Sequence, residues 1–222
     1  MLDSHQEIPK DLWKTLSPQL TDERRFKMER TASQRTERIR LVLQDVHHPH
    51  NISACMRSAE AFGISHVHVV DHQEAFKPSS VAKGVDRWLN VHRHADIPSC
   101  VAELKKHNYK IASAMPNPVN CVSLYELDLS QPIAVLFGNE HEGMSEDFRP
   151  FVDTFFTIPM VGMVESLNIS VCAAITMSHL RERSLLTRGD VLLNAERKED
   201  LLNRWIADQY PRWKELYERL SV

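Results

Sequence analysis

The chain has 222 residues, 42% of them apolar, and a formal charge of −3, enough apolar material for one domain-sized core with appended segments. No apolar run approaches the roughly 20 residues of a membrane-spanning helix, the longest clear one being Ile133 to Phe137, so no membrane partner is expected. The polar, acidic start Met-Leu-Asp-Ser-His-Gln-Glu is unlike a secretory signal, and Cys55, Cys100, Cys121 and Cys172 form no C-x-x-C pair, which together fit a reducing, cytoplasmic location.

Residues 1 to 38 are polar and helix-prone, with Ser17 or Thr21 as candidate caps, and read as an N-terminal helical extension. From Arg24 to Arg40 seven basic residues face only Glu29 and Glu37, a local charge of +5 that suits phosphate neutralisation as well as a solvated helix face. Arg24, Arg25, Arg30 and Arg35 are the RNA-binding candidates of that stripe.

A βα alternation then begins. Strands are expected over Ile39 to Gln44, Val67 to Val70, Leu89 to His94, Tyr109 to Ala114, Pro132 to Phe137 and Asp153 to Ile158. Asn51 is placed as the cap of a helix ending at Gly63, Asp96 as the cap of one reaching His107, and Ser145 as the cap of a short, acidic-started helix. Residues 115 to 129 read as a loop. After the last strand, Pro159 cannot donate to a ladder, Gly162 opens the turn, and Ser166 and Asn168 are both good N-caps. Seven of the nine residues from Ile169 to Met177 are apolar, which predicts a helix buried on most sides.

Strands alternating with helices predict an α/β fold, a mainly parallel sheet with helices on both faces. Beyond Arg181 the chain turns to polar helices carrying Trp205 and Trp213. The expected division is an extension over 1–38, a core domain over 39–184 and a C-terminal helical extension over 185–222.

Several chemistries are excluded or weak. There is no G-x-G-x-x-G turn. Gly138 to Ser145 has the spacing of a P-loop, but Met144 occupies the place of the phosphate-binding lysine. No G-x-S-x-G elbow supports a hydrolase. The pairs His66/His68 and His92/His94, with His47, His48 and His50, invite a metal reading, yet no family-like ligand spacing accompanies them; exposed histidines on edge strands are the expectation, and no metal is assigned.

Three stretches remain: Asn51 to Arg57, Phe137 to Gly143, and Ser166 to Asn168. In a parallel sheet, segments that follow the carboxyl ends of strands converge on one crevice, which would gather Arg57, Glu140, Ser166 and Asn168.

These stretches also carry a resemblance. His-His-Pro-His-Asn-Ile-Ser-Ala-Cys-Met-Arg-Ser-Ala-Glu-Ala-Phe-Gly resembles the first motif of the SpoU/TrmH class of SPOUT RNA methyltransferases. Leu-Phe-Gly-Asn-Glu-His-Glu-Gly-Met-Ser is similar to the second, and Ile-Pro-Met-Val-Gly-Met-Val-Glu-Ser-Leu-Asn-Ile-Ser-Val to the third. The likeness covers about residues 36 to 185. It implies a deep trefoil knot at the C-terminal side of the sheet, a homodimer, and S-adenosylmethionine held largely by backbone groups, with Ala114, Gly138, Ile158 and Leu167 in contact with it. It implies transfer of methyl to a ribose 2′-hydroxyl of tRNA, at guanosine 18 by the form of the third motif; other tRNA positions, ribosomal RNA, or a non-catalytic RNA-binding module stay open. Asn51, Arg57, Glu140, Ser166 and Asn168 become the catalytic set, with Asn51 holding Arg57. A guanidinium is a poor base, so an RNA phosphate fixed by Arg57 is the better proton acceptor.

Overall fold

The computed structural model describes residues 8–71, 84–115 and 120–221. Residues 116–119 of the expected loop, the first seven residues and the last one lie outside the described residues. Contacts divide the chain into two units, one formed by residues 36–191 and the other by the two ends of the chain, residues 8–35 with 192–221.

The larger unit begins with β1 (Thr36–Gln44), whose last six residues are all buried. It continues through α3 (Pro49–Ala61), β2 (Ile64–Val70), β3 (Asn90–His94), α4 (Ile97–Lys106), β4 (Lys110–Ala114), β5 (Val122–Ser123), β6 (Ile133–Phe137), β7 (Thr154–Thr157) and α5 (Ile169–Thr187). The seven strands form one sheet in the order β3-β2-β1-β6-β4-β7-β5, and every pairing is parallel. Continuous burial along β1 and β6 follows from helices covering both faces. Along β6, Ile133, Val135 and Phe137 join a core with Ile52, Met56, Ala173 and Met177 of α3 and α5. Ala134 and Leu136, on the opposite face, pack with Cys100 and Leu104 of α4 and with Phe148.

Besides shifts of strand ends by up to three residues, such as β2 starting at Ile64 rather than Val67, four sequence expectations change. The helix placed from Asn51 starts two residues earlier at Pro49, whose missing N–H costs nothing at the first helical position; His48 is its N-cap and Asn51 is released for other work. No helix starts at Ser145. Its Oγ accepts from the Asp147 N–H at 3.1 Å, and only a single tight turn, Arg149–Phe151, follows, because Pro150 cannot continue a helical ladder. The short strand β5 falls inside the stretch read as loop. Finally, α5 runs on to Thr187, with Val171 and Ile175 exposed on one side opposite the buried Ile169, Ala173 and Met177.

Caps elsewhere match the expected chemistry. Asp96 accepts from the Ser99 N–H at 2.8 Å, and Asn168, rather than Ser166, caps α5 by accepting from the Ser170 N–H at 2.9 Å.

In the smaller unit, α1 (Leu12–Leu16) and α2 (Asp22–Ala32) from the N-terminal end meet α6 (Ala195–Gln209) and α7 (Trp213–Leu220) from the C-terminal end. Asn203 is buried between them, accepting from the Trp13 N–H at 2.6 Å and donating to the Lys10 carbonyl at 2.7 Å. Trp205 and Trp213 are buried, so both pack.

Candidate active site

The carboxyl ends of β4, β6 and β7 lie side by side in the sheet, and the chain leaving each of them lines one cavity of about 530 Å³. Its walls are Ala114 and Met115 after β4, Gly138 to Met144 after β6, Ile158 and Met160 after β7, and Ser166 to Ile169 at the start of α5. A parallel sheet produces such a crevice where neighbouring connections part to opposite faces.

The loop after β6 folds back on itself. Asn139 and Gly143 exchange backbone hydrogen bonds of 2.9 and 3.1 Å, and the Asn139 side chain accepts from the N–H groups of His141 and Glu142. Gly143 takes a φ of +73°, in the left-handed region that glycine occupies without strain. Gly138 is needed for a different reason: a Cβ there would overlap the Gly143 carbonyl and the Met144 nitrogen.

Glu140 projects from this loop to the entry of α3. Its carboxylate accepts from the backbone N–H groups of His47 and His48, at 3.2 and 3.3 Å, and from the Asn51 side chain at 2.8 Å. Burial pushes its pKa up, but these three hydrogen bonds outweigh burial and leave it below the usual value, so Glu140 is an anion at neutral pH. Asn51 passes the chain of contacts on: its Oδ1 accepts from Asn168 Nδ2 at 3.2 Å, while Asn168 Oδ1 accepts from the N–H and the hydroxyl of Ser170. One network therefore ties the first, second and third motif stretches beside the cavity.

Of the predicted cofactor contacts, Ala114, Gly138, Ile158 and Leu167 all line the cavity, as do Glu140, Ser166 and Asn168. Asn51 stands behind Glu140. Arg57 is not brought to Asn51: it is exposed on α3, outside the cavity lining, and makes no hydrogen bond or ion pair among the described residues. Asn51 spends its two side-chain hydrogen bonds among the described residues on Glu140 and Asn168, not on Arg57. The backbone N–H groups of His47 and His48 had no signal of their own in the sequence, since any residue type supplies them; the Pro49 that starts α3 was the one clue. Cys55 and Cys172 are held toward the protonated thiol. Burial first, then the charge of Glu140, pushes the Cys55 thiol up to about 12, and burial raises Cys172.

The basic stripe separates into different roles. On α2, Arg30 is exposed, Arg25 pairs with Asp22 at 2.8 Å and Arg24 donates to Gln209 at 2.9 Å. Arg35 is only 1% exposed, its guanidinium 5.4 Å from the Trp205 ring centre, so it is a packing residue rather than an open phosphate contact. Arg38 pairs with Asp190, and Arg40 is buried over the Tyr109 ring.

The two H-x-H pairs are not the exposed edge histidines expected. Parallel register sets His68 beside His92, and the rings of His66, His92, His68 and His94 stack into one column under α4. His68 and His94 are buried. Donor atoms of His68, His94 and Cys100, and of His68, His92 and Glu103, come within 4.8 Å of one another. Arg40 already offers this column a cation, 3.2 Å from His68 Nε2 and 3.8 Å from Glu103 Oε1. A guanidinium only donates, so His68 accepts on Nε2 and turns its proton at Nδ1 toward His94, 3.0 Å away.

No described helix is long and apolar enough to cross a membrane. Among curated proteins, the chain is 32% identical over 188 residues to the tRNA (guanosine(18)-2′-O)-methyltransferase of Borreliella burgdorferi, covering 84% of this chain and 85% of that one. To the enzyme of the same name from Escherichia coli it is 33% identical over 160 residues, 67% of this chain and 69% of that one. The A. aeolicus TrmH/SpoU tRNA modifying enzyme superposes with a TM-score of 0.74 at 21% identity over 85% of this chain and 97% of that one, a likeness of fold. Residues 38–178 match the SpoU rRNA Methylase family, and they hold the parallel sheet, the cavity and the Glu140–Asn51–Asn168 network; the chain belongs to that family.

Proposed function

We propose that this protein transfers a methyl group from S-adenosylmethionine to a ribose 2′-hydroxyl of tRNA, at guanosine 18, the position named in the curated relatives. The observation that carries the reading is the network joining Glu140, Asn51 and Asn168 across one wall of the cavity. The cavity suits the cofactor: it falls in the range of small-molecule sites, about 300–1,000 Å³, and Ile158 and Leu167 offer apolar surface. At Gly138, the absence of a side chain lets the loop's own backbone close up as the cavity wall. When bound, S-adenosylmethionine supplies an electrophilic methyl group on sulfur.

The chain's own residues then have positioning work, which is the main demand of an in-line transfer. Glu140 and Asn51 hold the loop and the start of α3 in register. Asn168 fixes the start of α5, and the Ser166 hydroxyl is free to meet the ribose. Arg57, with no partner among the described residues, has its five donors open to an RNA phosphate, which takes the 2′-hydroxyl proton while the guanidinium stabilises the charge that develops. Arg24, Arg25 and Arg30 on α2 of the smaller unit offer further phosphate contacts of their own.

We further read the segment after β7, with α5, as threaded through another loop to form the trefoil knot implied by the three motifs. We also read the protein as a homodimer. Val161, Met163, Val164, Val171 and Ile175 expose apolar surface in and after that segment, and a second copy would cover it. The free cysteines among the described residues fit work in the cytoplasm.

Labelled S-adenosylmethionine with bulk tRNA, and separately with ribosomal RNA, tests the activity. The expected result is label on tRNA that maps to the 2′-oxygen of guanosine 18; label on ribosomal RNA alone would move the protein to the other substrate class, and label on neither RNA contradicts the reading.

A further inference from the structure

Gln44 ends β1 on the same edge of the sheet as the cavity, and only 2% of its surface is exposed. A buried carboxamide is costly unless both of its ends are satisfied, and here they are. Oε1 accepts from the Ser145 backbone N–H at 3.0 Å, and Nε2 donates to Asp45 Oδ2 at 3.0 Å. The assignment of oxygen and nitrogen follows from the partners, because a backbone N–H needs an acceptor and a carboxylate needs a donor. Asp45 is itself fixed, with a φ of +48° and its N–H donating to the Val70 carbonyl at 2.9 Å.

Ser145 closes the loop that begins at Gly138. That loop is bound to itself by the Asn139–Gly143 pair and to α3 through Glu140. At its far end Met144 lines the cavity and is buried in the core on the α4 side. The Gln44 amide is the polar link there, tying the loop's exit at Ser145 to the end of strand β1. Because the wall at Gly138 is backbone, a shift of the loop moves the wall itself.

We propose that Gln44 is a positioning residue for the cofactor: through Ser145 it sets the Gly138–Met144 wall at the height that S-adenosylmethionine requires. The inference rests on the reading that this cavity holds that cofactor. Gln44 touches neither the cofactor nor the RNA, so its loss weakens cofactor binding and leaves the transfer step in place.

Calorimetric titration of S-adenosylmethionine, with steady-state tRNA methylation, compares the wild type with Gln44→Met, which keeps chain length but offers neither oxygen nor NH₂. The Kd and KM for S-adenosylmethionine should rise about ten-fold, the scale of one missing hydrogen bond at the loop's part-buried exit. At saturating cofactor kcat should stay within about two-fold, the split that marks weakened binding rather than weakened chemistry. A wild type that binds no S-adenosylmethionine defeats the cavity reading and this proposal with it. A wild type that binds, beside a variant with unchanged KM or with lowered kcat alone, defeats only the role of Gln44. Hydrogen exchange on the wild type needs no variant: the Ser145 amide should be protected without cofactor, and exchange at the rate of an open loop would overturn the proposal.

Discussion

The side-chain amide of Asn168 donates to the side-chain oxygen of Asn51 at 3.2 Å, joining the starts of α5 and α3 across 117 residues of chain. Asn51 in turn donates to Glu140, so three separate segments share one short run of hydrogen bonds. Asn168 has a second task, since its oxygen caps α5. The two tasks can be separated. Asn168→Asp keeps the capping oxygen but sets a carboxylate against the Asn51 oxygen. Asn168→Ala loses both. The alanine variant should be less stable by about 1 kcal/mol, the usual worth of an N-cap. The aspartate variant should melt close to the wild type and still lose methylation by about 100-fold, as expected for misplaced reacting groups. Melting curves beside initial rates check this; an active Asn168→Asp would remove the network from the account.

Gly138→Ala places a methyl group against the Gly143 carbonyl and the Met144 nitrogen, both backbone atoms that cannot swing aside. Overpacking of this kind costs about 1–3 kcal/mol. The loop must shift to relieve it, so S-adenosylmethionine affinity should fall by at least ten-fold, the scale of about 1.4 kcal/mol. Titration of the purified variant reads the effect directly, and wild-type affinity would mean that the loop does not form the cofactor wall.

Much of the larger unit was legible because a strand buried on both faces reads as an apolar run: Ile133 to Phe137 is such a run, and it became the strand β6 beside β1. The cavity was legible for a topological reason, since parallel connections leave the sheet at one end. What failed was local. Asn51 looks like a cap by residue type, but Pro49 is a better first helical residue, and which candidate wins depends on what Glu140 offers from 89 residues away. Ser145 looked like a helix start, and Pro150 ended that helix before it could propagate. The burial of Arg35 and of the histidine column depends on aromatic and helical neighbours that arrive from distant parts of the chain, so charge and spacing alone did not reveal it. A knot leaves no periodicity to read, and that expectation came from resemblance alone.

Arg30 and Arg35 belong to the same basic stripe and should behave differently. Changing Arg24, Arg25 and Arg30 to glutamine should weaken tRNA binding and lower the slope of log K against log salt by about two to three, roughly 0.9 for each phosphate that is no longer neutralised. Arg35→Ala should instead destabilise the fold by about 2–4 kcal/mol, because it empties a packed site beside Trp205. Binding measured across a salt series, with melting of each variant, distinguishes them. An unchanged slope returns the exposed arginines to a solvated face.

The histidine column should make stability fall on the acid side. Burial first, then the charges of His92 and Arg40, holds the His68 pKa far below its usual 6.5, and burial also lowers His94. A depressed histidine pKa means that the unfolded chain takes up the proton and the folded one refuses it. The stabilisation is therefore fully present above pH 6.5 and is lost progressively as the pH falls below that value. In His68→Gln the unfolding free energy should fall less steeply in this window, by the slope of about one proton. Chemical denaturation between neutral and mildly acid pH checks this; an unchanged slope would show that His68 is protonated in the folded chain.

Arg57 is where the proposed chemistry is most exposed to test. Single-turnover methylation of tRNA by the wild type and by Arg57→Ala, with S-adenosylmethionine binding measured on the same preparations, separates transfer from cofactor capture. The account predicts label at the ribose 2′-oxygen of guanosine 18 in the wild type, a loss of at least about 100-fold in the variant, as for removal of a group that stabilises developing charge, and unchanged cofactor affinity. Wild-type turnover by Arg57→Ala would contradict it.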